Sequence, residues 1–443
     1  MAQPSEGGFA GVLHRESFPA FLAAGAAQFA GPSTAFVVLI FSVAVAYPRA
    51  DSSFVAVALA LMGLSSALPT LAGAFFAGPL ADRHDRHLLM RTANLVSLVA
   101  TALLAVDLFF APSKKVALPL LPGFYLPLWL LLLYPVWAGL ITTATLFRPA
   151  YNTSVPKFVS TAELGRANGL IYAIAAAVSA GGTLLVGVVL TLGGSVLALS
   201  IPFVLFLATQ VALLLVTTDL KVRREGTPPK ILRFAAEGLS YLVRRRDLFE
   251  VTIAALFVNL LAAVAFVELG LFVRDSLGLL SGIWYGAMIS ASTAGAACGL
   301  LAISRIPFEK HAGLWLIVLV LAMGGALSAL SFVRNIWLAL PIIFVYGLMP
   351  GMIQTVFLSA VQATVPDEVM GRVFAADEVG SYMLVPVGQS LGGLLAVEVG
   401  VEGAYLFAGG SMVALGVVML GTFGSLRGLR IRVDEPGAGP TAS

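Results

Sequence analysis

In this chain of 443 residues 59% are hydrophobic, only 11% are charged and the mean hydropathy is +0.96, far from a soluble domain, where about a quarter of residues are charged. That balance excludes a soluble globular protein and implies many membrane-spanning segments. A net charge of +3 calls for no nucleic-acid partner, and a lone cysteine, Cys298, excludes an intrachain disulfide and a thiolate metal cluster.

Residues 1–17 are mixed and polar, and the first apolar stretch, 18–45, is longer than the core of a signal peptide, so the chain is expected to keep its N-terminus. At about 20 apolar residues per span, twelve spans are predicted, at 18–45, 53–78, 88–111, 127–147, 167–192, 195–217, 248–273, 281–304, 313–333, 336–360, 373–399 and 402–424. Only Gly193-Gly194 separates the fifth from the sixth, which predicts a tight helical hairpin. The one long hydrophilic link, from Thr218 to Glu250, divides the spans six and six. The expected organisation is a first bundle at 1–217, a basic cytoplasmic linker at 218–247, a second bundle at 248–424 and a disordered tail at 425–443. Eight Lys and Arg in the linker surround an amphipathic segment, 231–243, which reads as a helix lying on the anionic leaflet. A regulatory or protein-partner site is the other reading.

Positive loops stay in the cytoplasm during insertion. Twenty-one of the 26 Lys and Arg fall on one side of this plan, and only Arg49, Lys114, Lys115, Arg274 and Arg334 fall on the other. The expectation is a multi-pass protein of the cell membrane with both termini cytoplasmic and no Lys or Arg at mid-membrane.

Between spans two and three the run GPLADRHDRHLLMR, Gly78 to Arg91, interrupts the apolar pattern. Gly78 permits close helix approach, and Asp82 is an anion that a helix N-terminus or an Arg would satisfy. Arg83, His84, Asp85 and His87 read as solvated loop, and a topology marker is the plainer reading of the whole run. The corresponding loop of the second half, SRIPFEKHAG, keeps Arg305 and Lys310 but lacks an Asp-Arg pair. The halves echo each other elsewhere: Val155-Pro156 and Gly165-Arg166 before span five answer Val365-Pro366 and Gly371-Arg372 before span eleven. Two repeats meeting at a central path are a common secondary-transporter plan.

The stretch ALPTLAGAFFAGPLADRHDRHLLM closely resembles the signature loop of the major facilitator superfamily. FRPAYNTSVPKFVSTAELGRANGL and VPDEVMGRVFAADEVGSYMLVPVGQSLGG resemble its enterobactin-exporter and macrolide-efflux branch. The resemblance covers essentially the whole chain. It implies an all-α integral membrane fold of twelve transmembrane helices in two pseudo-symmetric six-helix bundles. It also implies that Asp82 meets the start of span eleven, with Arg372 as partner and Arg86 bracing the cluster, so that Gly78, Asp82, Arg86 and Arg372 form a gating motif.

In this superfamily spans one, four, seven and ten line the cavity, which makes Gln28, Tyr134, Trp137, Asn259, Tyr346 and Gln354 the substrate candidates. Tyr134 and Tyr346 read equally as packing or interfacial anchors. Asn259 and Glu268, nine residues apart, lie about 180° apart on a helix and cannot both face one cavity. Ionisable groups at membrane depth are functional suspects, so Glu268, Asp377 and Glu378 are the proton-coupling candidates. Glu268 reads alternatively as reaching the headgroups, and one of Asp377 and Glu378 as pairing with the charged run. Asp107 and Glu398 read as interfacial. Span four lacks the Arg, and span five the Gly-Pro, of many proton-coupled efflux relatives, so antiport follows from the branch alone.

All four histidines fall in loops, and neither a phosphate-binding loop nor a metal or nucleophile constellation is apparent, so no enzyme activity, cofactor or metal is expected. The expected function is alternating-access efflux of a moderately hydrophobic, drug- or siderophore-like small molecule, coupled to protons, by a monomer in contact with membrane lipid and with anionic lipid at the linker. The alternatives are an uptake permease or lipid transporter without proton coupling, and a non-transporting receptor or scaffold.

Overall fold

In the computed structural model the described residues are 13, 16–45, 52–110, 115–117, 125–159, 164–220, 231–303, 306–366, 373, 376–377 and 380–429. Before the linker the helices are α1 (Phe18–Val45), α2 (Ser52–Arg83), α3 (Arg86–Phe110), α4 (Leu128–Asn152), α5 (Leu164–Ala198) and α6 (Ser200–Leu214). The linker holds α7 (Ile231–Arg244); after it come α8 (Arg246–Val267), α9 (Gly282–Ile303), α10 (Ala312–Leu330), α11 (Ile336–Thr364), α12 (Val385–Thr422) and a last turn, α13 (Gly424–Arg427). Helix dominates because a lipid-embedded backbone must satisfy its own hydrogen bonds. A two-stranded hairpin, Lys115–Ala117 with Tyr125–Pro127, is the small departure from an all-helical chain.

Among the described residues ten helical runs are long and apolar enough to cross a membrane. Two of the expected boundaries between spans, five to six and eleven to twelve, each fall at a glycine with non-helical backbone. Where two spans were expected on either side of Gly194, the backbone there takes φ 73°, inside the run that ends at Ala198, and α6 is shorter than its predicted span. Likewise α12 runs through both predicted spans eleven and twelve with a kink at Gly400, φ 75°. Left-handed backbone of this kind is cheap only for glycine, so a single residue makes each break, as the Gly193-Gly194 separation predicts for the first.

The N-terminal end of α1 meets the residues after α6, where the hydroxyls of Ser17 and Thr217 lie 2.7 Å apart. This is the terminal face, and the opposite end is the distal face. First-half spans meet second-half spans through small residues: α5 packs on α9 and α2 on α12. A Cβ on Gly187 would lie 2.8 Å from the Gly282 carbonyl oxygen, and one on Gly393 would lie 2.5 Å from that of Ala56. Glycine at such positions lets backbones touch where apolar side chains gain little over lipid.

The tail is a correction. Expected to be disordered from 425, it docks through α13: Leu426 and Leu429 are buried, the Leu426 N–H donates to Glu250 Oε2 at 2.8 Å, and the Gly313 N–H donates to the Leu429 carbonyl at 3.3 Å. Two apolar residues three apart and a buried carboxylate capping the turn give residues 425–429 their seat.

Candidate functional site

Helix α1 passes the end of α8 and the turns that follow it, Leu269–Leu271 and Phe272–Ser276, along a stripe with a four-residue repeat, the spacing that keeps side chains on one helix face. Phe36 stacks on Phe266 with ring centroids 5.3 Å apart; one turn on, a Cβ at Gly270 would lie 2.5 Å from Ile40 Cγ2; one turn further, Arg274 Nη1 donates to the Ala44 carbonyl at 2.6 Å. Ala44 is in the last turn of α1, whose carbonyls lack helical partners and carry the negative end of the dipole. Arg274 also grips Asp275 with Nε–Oδ1 at 2.7 Å and Nη2–Oδ2 at 3.1 Å. It sits in a π-helical turn, Phe272–Ser276, and is 1% exposed. This overturns its placement in an outer loop: the distal seam between the halves buries a cation. The missed signal is the adjacent Asp275, which brings the counter-charge along.

Other joins between first-half and second-half spans lie at the distal ends of α5 and α9 and, for Ser290, about two turns inward. Thr191 and Ser281 hydroxyls are 2.9 Å apart, the Ile283 N–H donates to Thr191 Oγ1 at 2.9 Å, and Ser290 Oγ donates to the Ala180 carbonyl at 2.8 Å. Toward the terminal face Phe76, Tyr172, Leu301 and Gln354 are exposed.

Glu268 caps the end of α8 and is fully buried, with neither carboxyl oxygen hydrogen-bonded to any described residue. The headgroup reading of this residue therefore fails. Aromatic rings lie close in the fold: Phe272, whose N–H donates to the Glu268 carbonyl at 2.9 Å, stacks on Tyr405 with centroids 5.0 Å apart. Asp107, expected at the interface, also has both oxygens buried without a partner among the described residues.

The remaining candidates scatter. Trp137 is buried beside Phe36, 5.6 Å between centroids, next to the seam. Tyr134 donates to the Ala58 carbonyl at 3.1 Å, tying α4 to α2. Asn259 donates to the Ser381 carbonyl at 3.1 Å, and Asp377 accepts from Thr252 at 2.6 Å and Ser381 at 3.2 Å, so both join α8 to the segment before α12. Tyr346 is buried and Gln354 exposed. Gln28 is buried with both amide atoms unpartnered among the described residues. It shares a face of α1 with Ala24, whose carbonyl accepts from Thr209, and with Gly31, which packs on Phe206, so it points among the first-half helices near α6.

Of the gating motif, Arg86 is placed: Nη1 donates to the Thr153 carbonyl at 2.7 Å, capping the end of α4. The surroundings of Gly78, the side chain of Asp82, and residues Arg372 and Glu378 lie outside what is described. Two neighbours read as solvated loop do structural work instead. Asp85 Oδ1 accepts the N–H groups of His87 and Leu88 at 2.9 and 3.3 Å, capping α3, and His87 Nε2 meets the Leu213 carbonyl at 2.7 Å. At the start of α8, Arg245 holds Asp247 by two hydrogen bonds and donates Nη1 to the Thr364 carbonyl at 3.2 Å. The bond to Asp247 raises the pKa of Arg245, so the cap stays charged.

A family model described as "Transmembrane secretion effector" matches residues 27–427. The uncharacterized MFS-type transporter YfiS of Bacillus subtilis (strain 168) is 26% identical over 377 residues, covering 82% of this chain and 84% of that protein. Among solved structures, a mutant of the peptide transporter POT in complex with sulfate matches with a TM-score of 0.68 at 14% identity, over 94% of this chain and 96% of that one. At that identity the likeness is one of fold.

Proposed function

Because the chain belongs to the transmembrane secretion effector family of major facilitator transporters, we propose that it is a monomeric secondary transporter that exports a moderately hydrophobic small molecule in exchange for protons. It works by alternating access between twelve spans in two six-helix bundles. The terminal face is the cytoplasmic side of the cell membrane, which the bias of Lys and Arg favours. The joins between the halves at the distal ends, Arg274 to Ala44 and Thr191 to Ser281, support the reading of a path open to the cytoplasm. Asp82 with Arg372 would close that side in the opposite state.

The observation that carries the coupling is Glu268: a carboxyl group buried at membrane depth without a hydrogen-bond partner among the described residues. An isolated charge there is costly, and a proton or a cationic substrate group removes that cost. Aromatic residues at the α1–α8 seam and around Tyr405 suit an apolar cargo. Asp377, held by two hydroxyls, is the lesser candidate, with Glu378 beside it in sequence.

Inside-out vesicles containing the protein are offered a panel of hydrophobic fluorescent compounds, with a protonophore added in parallel. Uptake that collapses with the gradient is expected, and Glu268→Gln should abolish the pH dependence. Uptake unchanged by the protonophore would favour uniport or lipid movement, and no uptake of any compound would favour a receptor or scaffold.

A further inference from the structure

Between α1, α3 and α6 the first half encloses two amide side chains whose hydrogen bonding is incomplete. Gln28 and Asn94 are 2% and 0% exposed, so bulk water does not reach them. Neither amide atom of Gln28 has a partner among the described residues, and neither does Asn94 Oδ1. A buried polar atom left unmet is costly, which makes three of them in one region a feature to be explained.

Both amides approach the same turn of α6. Gln28 shares a face of α1 with Ala24, whose carbonyl accepts from Thr209 Oγ1 at 3.4 Å, and with Gly31, where a Cβ would overlap the Phe206 ring. From α3, Asn94 Nδ2 donates to the Phe206 carbonyl at 2.9 Å and to Gln210 Oε1 at 2.8 Å. A backbone carbonyl only accepts, so the Asn94 nitrogen must face α6 and its Oδ1 turns away from that helix. One turn further along α3 the buried Ser97 hydroxyl lies 2.7 Å from that of Thr143, which continues the polar lining to α4.

The chemistry of the unmet atoms selects an occupant. Gln28 Nε2 offers donors, whereas Gln28 Oε1 and Asn94 Oδ1 offer acceptors. A cation would leave the donors unmet, and an anion would leave the acceptors unmet. Water both donates and accepts, and buried groups of this kind are commonly bridged by it. We propose that Gln28 and Asn94 line one internal site that binds water, which accepts from Gln28 Nε2 and donates to Asn94 Oδ1. The bridge ties α1 to α3 beside the Phe206–Gln210 turn. Because α1 carries Phe36, Ile40 and Ala44 of the distal seam, the tie keeps that side of the seam with the first half when the halves part.

Thermal unfolding of the full-length protein in nanodiscs is compared with that of Gln28→Met, Asn94→Leu and the double variant. Methionine matches the length of glutamine without its polar atoms, so the loss of a merely unmet amide would raise Tm. With water bound, the same change strands Asn94 Oδ1 and should lower Tm by a few degrees. The double variant should lose less than the sum of the single losses, because the site vanishes as a whole. A structure that resolves ordered water should place one within about 3.2 Å of both side chains. The sign at Gln28→Met and that density decide the matter even where Asn94→Leu does not fold. A Tm unchanged or raised in Gln28→Met, additive losses, or no density between the amides would each overturn the proposal. So would a Tm that rises with sodium chloride and not with choline chloride, the mark of a bound cation.

Discussion

The two ends of the span Arg246–Ser276, which begins as α8, carry the same device in opposite settings. At each end an arginine holds a nearby aspartate by two hydrogen bonds and gives a further N–H to a carbonyl in the last turn of another span: Arg245 with Asp247 to Thr364, and Arg274 with Asp275 to Ala44. At the terminal face the Arg245 side chain is 36% exposed and its target belongs to the same half of the sequence; at the distal face Arg274 is 1% exposed and its target belongs to the other half. Capping a helix end therefore does not by itself make a latch. It becomes one where it is dry and where its partners must separate.

The largest effect expected from this contrast is at Arg274. Arg274→Ala strands Asp275 and the end of α1, and breaking a buried pair costs about 3 kcal/mol or more, close to a hundred-fold against the closed seam. Thiol labelling of Ala44→Cys, a fully buried seam position, in the Cys298→Ser background, should accelerate accordingly; labelling at the parent rate would show that the seam closes without its arginine.

Next in size is Gly270→Val, whose branched side chain would collide with Ile40. Overpacking of this kind costs about 1–3 kcal/mol, so a lower Tm and faster labelling of the same site are expected. An unchanged Tm would mean that α1 and α8 stand further apart than the packing indicates. The smallest effect belongs to Arg245→Ala, which loses a partly solvated pair worth about 1 kcal/mol or less. If its Tm loss matched that of Arg274→Ala, exposure would not be what separates the two ends.

Span positions were legible because length and hydrophobicity leave a lipid-embedded chain few choices. The signature run was legible as chemistry, yet its division of labour was not: Asp85 and His87 act on backbone groups of α3 and α6, which no residue pattern displays. Arg274 was misplaced for a related reason. A cation at the end of an apolar run reads as the start of a loop, and only the register between α1 and α8 turns it inward. Gln28 shows the converse, since an amide in an apolar span invites a cavity reading until Ala24 and Gly31 fix which neighbour that face meets. The docked turn at Leu426 was hidden because two leucines in a tail carry no periodicity of their own.

The three contacts of the α1–α8 seam also impose an order in time. They are set one helical turn apart, with the arginine outermost and the Phe36–Phe266 stack innermost. Two helices that tilt apart about an inner point separate first where the lever arm is longest. Water arriving from the distal side would thus meet Arg274 before it meets the aromatic pair, so the cation is rehydrated early and the buried Phe36 ring late.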